Sequence, residues 1–248
     1  QKQAENVLCK LGNDLYVRNE LNEINDSLQT TNRKVTYKDL FSQTILPVLL
    51  IGFGLATLQQ FSGANNVTAY MQIIFAKANI SIRDGLLNAV FVGLVFLVFT
   101  LFAIMLVDRI GRKKLMLIGT SLMALFLFLL AWSFNRLAIN GLLVFIFIMA
   151  YIATYAFTLA PVTWVLLSEI FPNYIRNMAL SLSSCVLWIA TFIVVLVSPY
   201  LLKLSPVVNF LIFGVFNIIG VYFVWVYIPE TKGKSLEEIE RDLINKSK

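Results

Sequence analysis

The chain has 248 residues, of which 58% are hydrophobic and only 14% are charged, with a mean hydropathy of +0.78. Soluble domains carry about 25% charged residues, so this composition excludes an ordinary soluble domain and indicates an integral membrane protein. Histidine is absent and the two cysteines show no metal-ligand spacing, so we predict no metal site and no cofactor, and an enzyme is the weakest functional class.

The first 43 residues are polar and charged, and their apolar residues recur at helical spacing. We predict short amphipathic helices over 1–43 that form a cytoplasmic linker before the membrane domain. The chain starts at Gln1 and shows no apolar signal region before Thr44. We therefore expect it to begin inside a longer protein.

Six apolar runs follow, and each reaches or approaches the roughly 20 residues that a helix needs to cross a bilayer. They predict an all-α membrane domain of six transmembrane helices over 44–228, followed by a cytoplasmic tail over 229–248. The first, fourth and fifth runs are longer, so we expect tilt, a break or an extension beyond the membrane. The approximate limits of the runs are Thr44–Phe75, Leu86–Val107, Leu115–Phe134, Gly141–Leu167, Met178–Leu202 and Val207–Ile228.

The distribution of basic residues predicts the orientation of these helices. Six spans place both termini on one side of the membrane, and most of the 20 Lys and Arg residues fall on that side. By the positive-inside rule that side is the cytoplasm, so we predict a multi-pass protein of the cell membrane, in contact with lipid, with both ends cytoplasmic. The basic excess reflects topology and gives no support for a nucleic-acid partner. The opposite side receives Lys77, Arg83, Arg136 and Lys203.

A polar stretch over residues 59–66 interrupts the first run at mid-depth with two glutamines, a serine and two asparagines. Such groups are costly in hydrocarbon unless they face a bundle interior or a water-filled cavity. Gln59, Ser62 and Asn66 share one face of an ideal helix, and Gly63 allows a bend. Neutral amides suit hydroxyl-rich, uncharged substrates, whereas adhesion between helices is the alternative.

Four motifs lie in order along the chain. They are Gln59-Gln60-x-Ser62-Gly63-x-Asn65, Asp108-Arg109-Ile110-Gly111-Arg112-Lys113, Pro161-Val162-Thr163-Trp164 leading into Ser168-Glu169-Ile170-Phe171-Pro172 with Arg176, and Pro229-Glu230-Thr231-Lys232-Gly233. Together these motifs resemble the sugar porter family of the major facilitator superfamily. The resemblance covers residues 59–233 and implies helices 7–12, the C-terminal six-helix half of a twelve-helix transporter with a midplane site. The N-terminal six-helix half is then the implied partner.

The resemblance also implies which residues bind the sugar. Trp164 offers a flat face for the C–H surface of a sugar ring, although an interfacial anchor is the alternative for this residue. Pro161 permits a kink nearby. The implied substrate-binding residues are Gln59, Gln60, Asn65, Tyr70, Tyr155, Trp164 and Trp188.

Several positions depart from the family pattern. Ala69 stands where a tyrosine is usual, and Phe96, Leu187 and Thr191 stand where asparagines are usual. Each lost amide removes a bond to a hydroxyl worth about 1–3 kcal/mol where that bond is made. The site is therefore expected to form fewer polar bonds, and a hexose cannot be assumed.

A set of charges at the span ends resembles the family's cytoplasmic gate. The resemblance implies an ion-pair network that latches these ends while the cavity faces outward, and its pairs must break in the alternate state. Ordinary topology anchors are the alternative. The implied members are Asp108, Arg109, Arg112, Glu169, Arg176 and Glu230.

The sequence thus predicts a carrier that moves a monosaccharide or related polyol by alternating access, with no catalytic residue. A non-transporting sugar receptor is the alternative, motivated by the three replaced asparagines. No Asp or Glu lies within the cores of the six runs, so a co-transported proton stays open and would need a carboxylate from the N-terminal half.

Overall fold

The structure is a computed structural model that describes residues 40–43, 45–80 and 82–233, and only the backbone over 82–86. The predicted linker and the predicted tail lie largely outside the described residues. All regular elements within the described ranges are helices. They are α1 Leu46–Phe61, α2 Ala64–Ala69, α3 Met71–Lys77, α4 Ile82–Ile110, α5 Arg112–Phe134, α6 Gly141–Phe157, α7 Leu159–Ile170, α8 Arg176–Leu204 and α9 Pro206–Tyr227.

Six helical segments among the described residues are long and apolar enough to cross a membrane. The prediction of an all-α protein with six spans is therefore confirmed. The first segment has the lowest mean hydropathy, 1.3, because it contains the polar stretch 59–66. The segments are Leu46–Ala69, Leu87–Ile110, Arg112–Phe134, Gly141–Ile170, Arg176–Leu204 and Pro206–Tyr227.

The first span is broken at mid-depth, where α1 ends at Phe61 and α2 begins at Ala64. Gly63 lies between them with φ 95°, in the left-handed region that favours glycine. A second interruption at Tyr70 separates α2 from α3. The bend predicted at Gly63 is thus present, and it changes the faces on which the flanking polar side chains lie.

Pro161 interrupts the fourth span in the way its chemistry predicts. A proline ring clashes with the carbonyl four residues earlier and cannot donate a helical hydrogen bond. That earlier residue is Phe157, which is the last residue of α6, and α7 begins at Leu159. The long fifth span differs, because α8 continues through Pro199.

The spans pack around a core that includes Tyr151, Phe171 and Phe210. The main contacts join α9 to α5, α8 to α1, and both α4 and α5 to α6. In contrast, only 17% of the apolar 18-residue stretch of α4 is buried, and only 22% of the corresponding stretch of α8. These two helices therefore present long apolar faces that the other described residues leave uncovered.

Candidate functional site

Three amides predicted to bind substrate flank the break of the first span, and two of them, Gln60 and Asn65, are in direct contact. Gln59 and Gln60 are 4% and 5% exposed, and the Asn65 side chain donates a hydrogen bond to Oε1 of Gln60 across the break. Gln59 Nε2 donates to the carbonyl of Ala160 at 3.4 Å, which ties α1 to α7. Its Oε1 is buried with no partner among the described residues. We call Gln59, Gln60 and Asn65 the amide cluster.

The neighbouring polar residues face the packed interior. Ser62 donates from Oγ to the Gln59 carbonyl at 2.6 Å. Asn66 exchanges two hydrogen bonds of 3.0 Å with Asn209 of α9, and both side chains are fully buried. For Asn66 the observed contacts are therefore those of helix adhesion, and the face shared with Gln59 on an ideal helix is interrupted at Gly63.

Sequence reasoning missed Asn209 and Asn217 of α9 and Tyr151 of α6. Tyr151 and Asn217 both donate to the Ser62 carbonyl, at 2.9 and 2.8 Å. Two asparagines in an otherwise apolar run are the same signal that marked the first span. Asn209, Phe213 and Asn217 follow one another at i, i+4 spacing and are all buried, which identifies one inward face of α9.

Tyr70, Trp188 and Thr191 lie together along a groove of about 600 Å³ beside α8. The hydroxyl of Tyr70 donates to the Val195 carbonyl at 2.7 Å and so connects the end of α2 to α8. None of the lining side chains is charged. The α8 groove is lined by Tyr70, Trp188, Thr191, Phe192, Val195, Leu196, Pro199 and Tyr200.

The aromatic candidates Trp164, Trp188 and Tyr155 lie on the exposed surface or at its edge. Trp164 of α7 is 44% exposed and Trp188 is 68% exposed, so both indole faces are accessible. Tyr155 is partly buried, and its ring centroid lies 6.2 Å from that of Phe96. These side chains are placed to contact a ligand or a second protein surface.

The positions that depart from the family pattern have different environments. Thr191 lines the α8 groove, but its hydroxyl donates within the helix to the Leu187 carbonyl at 2.8 Å. Leu187 itself is only 5% exposed and packs inside the six-helix unit. Phe96 lies at the edge of the exposed surface beside Tyr155. Thr191 and Phe96, rather than Leu187, therefore change the accessible surface.

Four of the predicted gate residues meet at one end of the bundle. Arg112 Nη2 lies 2.8 Å from Asp108 Oδ1 and 3.0 Å from Glu169 Oε1. Glu230 Oε1 accepts from the backbone N–H of Arg112 at 3.0 Å, which satisfies a donor at the start of α5. We call Asp108, Arg112, Glu169 and Glu230 the charge cluster. It joins α4, α5, α7 and the segment after α9.

Arg109 and Arg176 stand apart from the charge cluster. Among the described residues neither side chain forms an ion pair, and Arg109 contributes only its carbonyl, which accepts from the Lys232 ammonium. Arg176 Nε donates to the Phe171 carbonyl at 3.2 Å. Its Nη2 is buried and has no hydrogen-bond partner among the described residues. Glu169 Oε2 is also buried and has no hydrogen-bond partner in the described part of the chain. The charge cluster therefore contains an acceptor that is free to form a further hydrogen bond.

Comparison with known proteins agrees with this architecture. The family described as "Sugar (and other) transporter" matches residues 1–243. The arabinose-proton symporter of Bacillus subtilis (strain 168) is 34% identical over 240 residues, covering 96% of this chain and 52% of that protein. The D-xylose-proton symporter of Escherichia coli (strain K12) is 36% identical over 247 residues, covering 97% of this chain and 50% of that protein.

Solved structures show the same likeness. The proton:xylose symporter XylE bound to 6-bromo-6-deoxy-D-glucose superposes with a TM-score of 0.80 at 35% identity, covering 98% of this chain and 52% of that chain. An inward-open structure of XylE from E. coli gives a lower TM-score, 0.67, at 34% identity, covering 97% of this chain and 49% of that chain. The chain thus spans about half the length of the curated relatives it matches. It belongs to the sugar porter family of the major facilitator superfamily and corresponds to one half of such a transporter.

Proposed function

We propose that the chain is the C-terminal half of a sugar–proton symporter that works by alternating access against an N-terminal six-helix half. The observation that carries this proposal is the amide cluster, which places three neutral amides beside a helix break within a membrane span and joins two of them by a hydrogen bond. Relatives that are named symporters of arabinose and D-xylose support it. In this proposal the carrier lies in the cell membrane, both ends of the chain are cytoplasmic, and no residue has a catalytic role.

The chemistry of the candidate binding residues favours a monosaccharide, and the named relatives make pentoses the first candidates. Amide side chains both donate to and accept from hydroxyl groups, and Gln59 Oε1 is a buried acceptor with no partner among the described residues. The exposed indole faces of Trp164 and Trp188 suit the C–H faces of a sugar ring. The α8 groove carries no charge, which disfavours an ionic substrate.

The carboxylates of this half are poorly placed to carry the coupled proton. Within the described spans only Asp108 and Glu169 are acidic, and each lies within two residues of a span end. Both form ion pairs with Arg112. We therefore assign the proton-carrying group to the N-terminal half.

We further propose that the charge cluster is the latch of the cytoplasmic side. It is assembled in this structure, which superposes better on the sugar-analogue complex of XylE than on its inward-open form. The Arg112–Glu169 pair is shielded, with side chains 14% and 21% exposed, so it contributes more than the pair to Asp108, which is 74% exposed. A latch of such moderate pairs is able to open in each cycle.

Equilibrium binding of D-xylose to the purified two-half transporter tests the substrate assignment. Gln60→Ala removes hydroxyl-binding capacity, and we expect a dissociation constant about tenfold higher or more, equivalent to about 1.4 kcal/mol. Trp164→Ala removes a stacking face and should weaken binding to a similar extent. Trp132→Ala is the matched control, because Trp132 is 48% exposed but stacks on Arg136 away from the amide cluster. Equal losses at Trp132 and Trp164 would contradict the assignment.

A further inference from the structure

The carbonyl of Ser62 lies at the break of the first span, between the last residue of α1 and the first of α2. Tyr151 Oη and Asn217 Nδ2 both donate to it, at 2.9 and 2.8 Å, and neither donor side chain is exposed. Asn217 Nδ2 also lies 2.8 Å from the Phe213 carbonyl of its own helix. A polar carbonyl inside a membrane helix is therefore satisfied from two other spans, α6 and α9.

A second contact holds the short helix that follows the break. Asn66 of α2 and Asn209 of α9 exchange two hydrogen bonds of 3.0 Å, and both side chains are 0% exposed. Each amide uses one donor and one acceptor on the other, so the pair fixes the rotation of α2 as well as its distance from α9. Loss of one member would leave the other buried and without that partner.

These contacts lie next to the amide cluster along the chain. Asn66 immediately follows Asn65, whose side chain bonds to Gln60 across the break. On the other side of the break, the Ser62 hydroxyl donates to the Gln59 carbonyl at 2.6 Å. Any rotation of α2 therefore moves Asn65 relative to Gln60. A rotated α2 would change the arrangement of the amide cluster.

We propose that Asn66, Asn209, Asn217 and Tyr151 act as one bracing network that positions the amide cluster for sugar binding. The inference rests on the proposed function, because it assigns positioning residues to the same site. None of the four contacts substrate in this proposal; they act through the orientation of α2. They are distinct from the three amides of the first sequence motif, Gln59, Gln60 and Asn65.

A double-mutant cycle on D-xylose binding tests whether the pair acts as a unit. In the purified two-half transporter, Asn66→Leu and Asn209→Leu should each raise the dissociation constant about tenfold, because each leaves one unpaired amide beside the site. The double variant should bind no more weakly than either single variant, since the shared contact is lost only once. Independent, multiplying effects would overturn the proposal, as would unchanged binding in both single variants.

A matched control separates positioning from general loss of a buried polar group. Thr120 is fully buried, and its hydroxyl bonds to the Met116 carbonyl within α5 at 2.8 Å. Thr120→Val should leave the D-xylose dissociation constant within twofold of the parent. If Asn209→Leu does not fold, Asn209→Ser supplies a smaller change with the same expected direction. A loss of binding in Thr120→Val as large as in the asparagine variants would contradict a specific positioning role.

Hydrogen exchange tests the bracing network independently of sugar binding. In Asn209→Leu, backbone amides over 64–69 should exchange about tenfold faster, while those of α5 stay unchanged, because only α2 loses its contact. Unchanged exchange over 64–69 would overturn the bracing network. If exchange over 64–69 rises in Asn209→Leu but the parent protein binds no D-xylose, the bracing network is supported and the proposed substrate is wrong. The two failures are therefore distinguishable.

Discussion

At the scale of single residues, Arg112 connects more segments of the chain than any other charge described above. Its guanidinium pairs with Asp108 and Glu169, and its backbone N–H donates to Glu230. Gly111 precedes it with φ 98°, and a Cβ at Gly111 would lie 2.7 Å from Glu230 Oε2. A glycine is therefore required for the carboxylate of Glu230 to reach the start of α5.

Replacement of Arg112 tests the latch. Arg112→Ala removes both ion pairs and leaves Glu169 without a cationic partner among the described residues. We expect net D-xylose uptake to fall about tenfold while the dissociation constant changes less than about threefold, because the change affects a conformational equilibrium and not the sugar contacts. Glu169→Gln should act in the same direction.

The control for the latch is Arg136→Ala, which removes an exposed arginine stacked on Trp132 at 3.7 Å. Its uptake should match the parent protein. Parallel losses of binding and uptake in Arg112→Ala would show that Arg112 supports the binding site or the fold, and the latch assignment would then be wrong.

At the scale of elements, the break between α1 and α2 determines on which face each flanking polar side chain lies. The φ of 95° at Gly63 is costly for a residue with a side chain, by about 1–2 kcal/mol. A Cβ at this position would also lie 3.0 Å from Cβ of Phe213 in α9. Conformation and packing thus both require glycine here.

Gly63→Ala and Gly93→Ala form a matched pair that tests this break. Gly63→Ala should lower the melting temperature of the two-half transporter and weaken D-xylose binding, because α2 must shift away from α9. Gly93 lies inside α4, and a Cβ there would meet no atom of the described residues within 4 Å. Gly93→Ala should leave binding unchanged and keep or raise the melting temperature, since alanine is the better helix former. Equal melting temperatures for both variants would contradict the requirement at Gly63.

The sequence was sufficient to predict the six spans but not to predict which partner each amide side chain contacts. Run length and hydropathy predicted six spans, and Gly63 and Pro161 predicted two of the interruptions, whereas the interruption at Tyr70 was not predicted. The period of a straight helix grouped Gln59 with Asn66, yet the break at Gly63 changes the helix direction between them. Asn66 then pairs with Asn209, a residue 143 positions away. Local periodicity carries no information about such a long-range partner.

At the scale of the whole molecule, the uncovered faces of α4 and α8 agree with a second six-helix half. Both helices expose rows of large apolar side chains, including Phe102 on α4 and Phe192 on α8. Trp188 and the α8 groove lie on the same helix as one of these faces. A second half packed there would cover Trp188 and the α8 groove.

Sugar uptake tests the central claim most directly. Radiolabelled D-xylose and L-arabinose would be measured in cells without their own pentose transporters, expressing the chain joined to its N-terminal half or the chain alone. We predict saturable uptake of at least one pentose by the joined form, its loss in Gln60→Ala, and no uptake above vector by the chain alone. Saturable uptake by the chain alone would contradict the two-half account. Binding of a pentose by the joined form without any uptake would contradict the carrier and favour a sugar receptor.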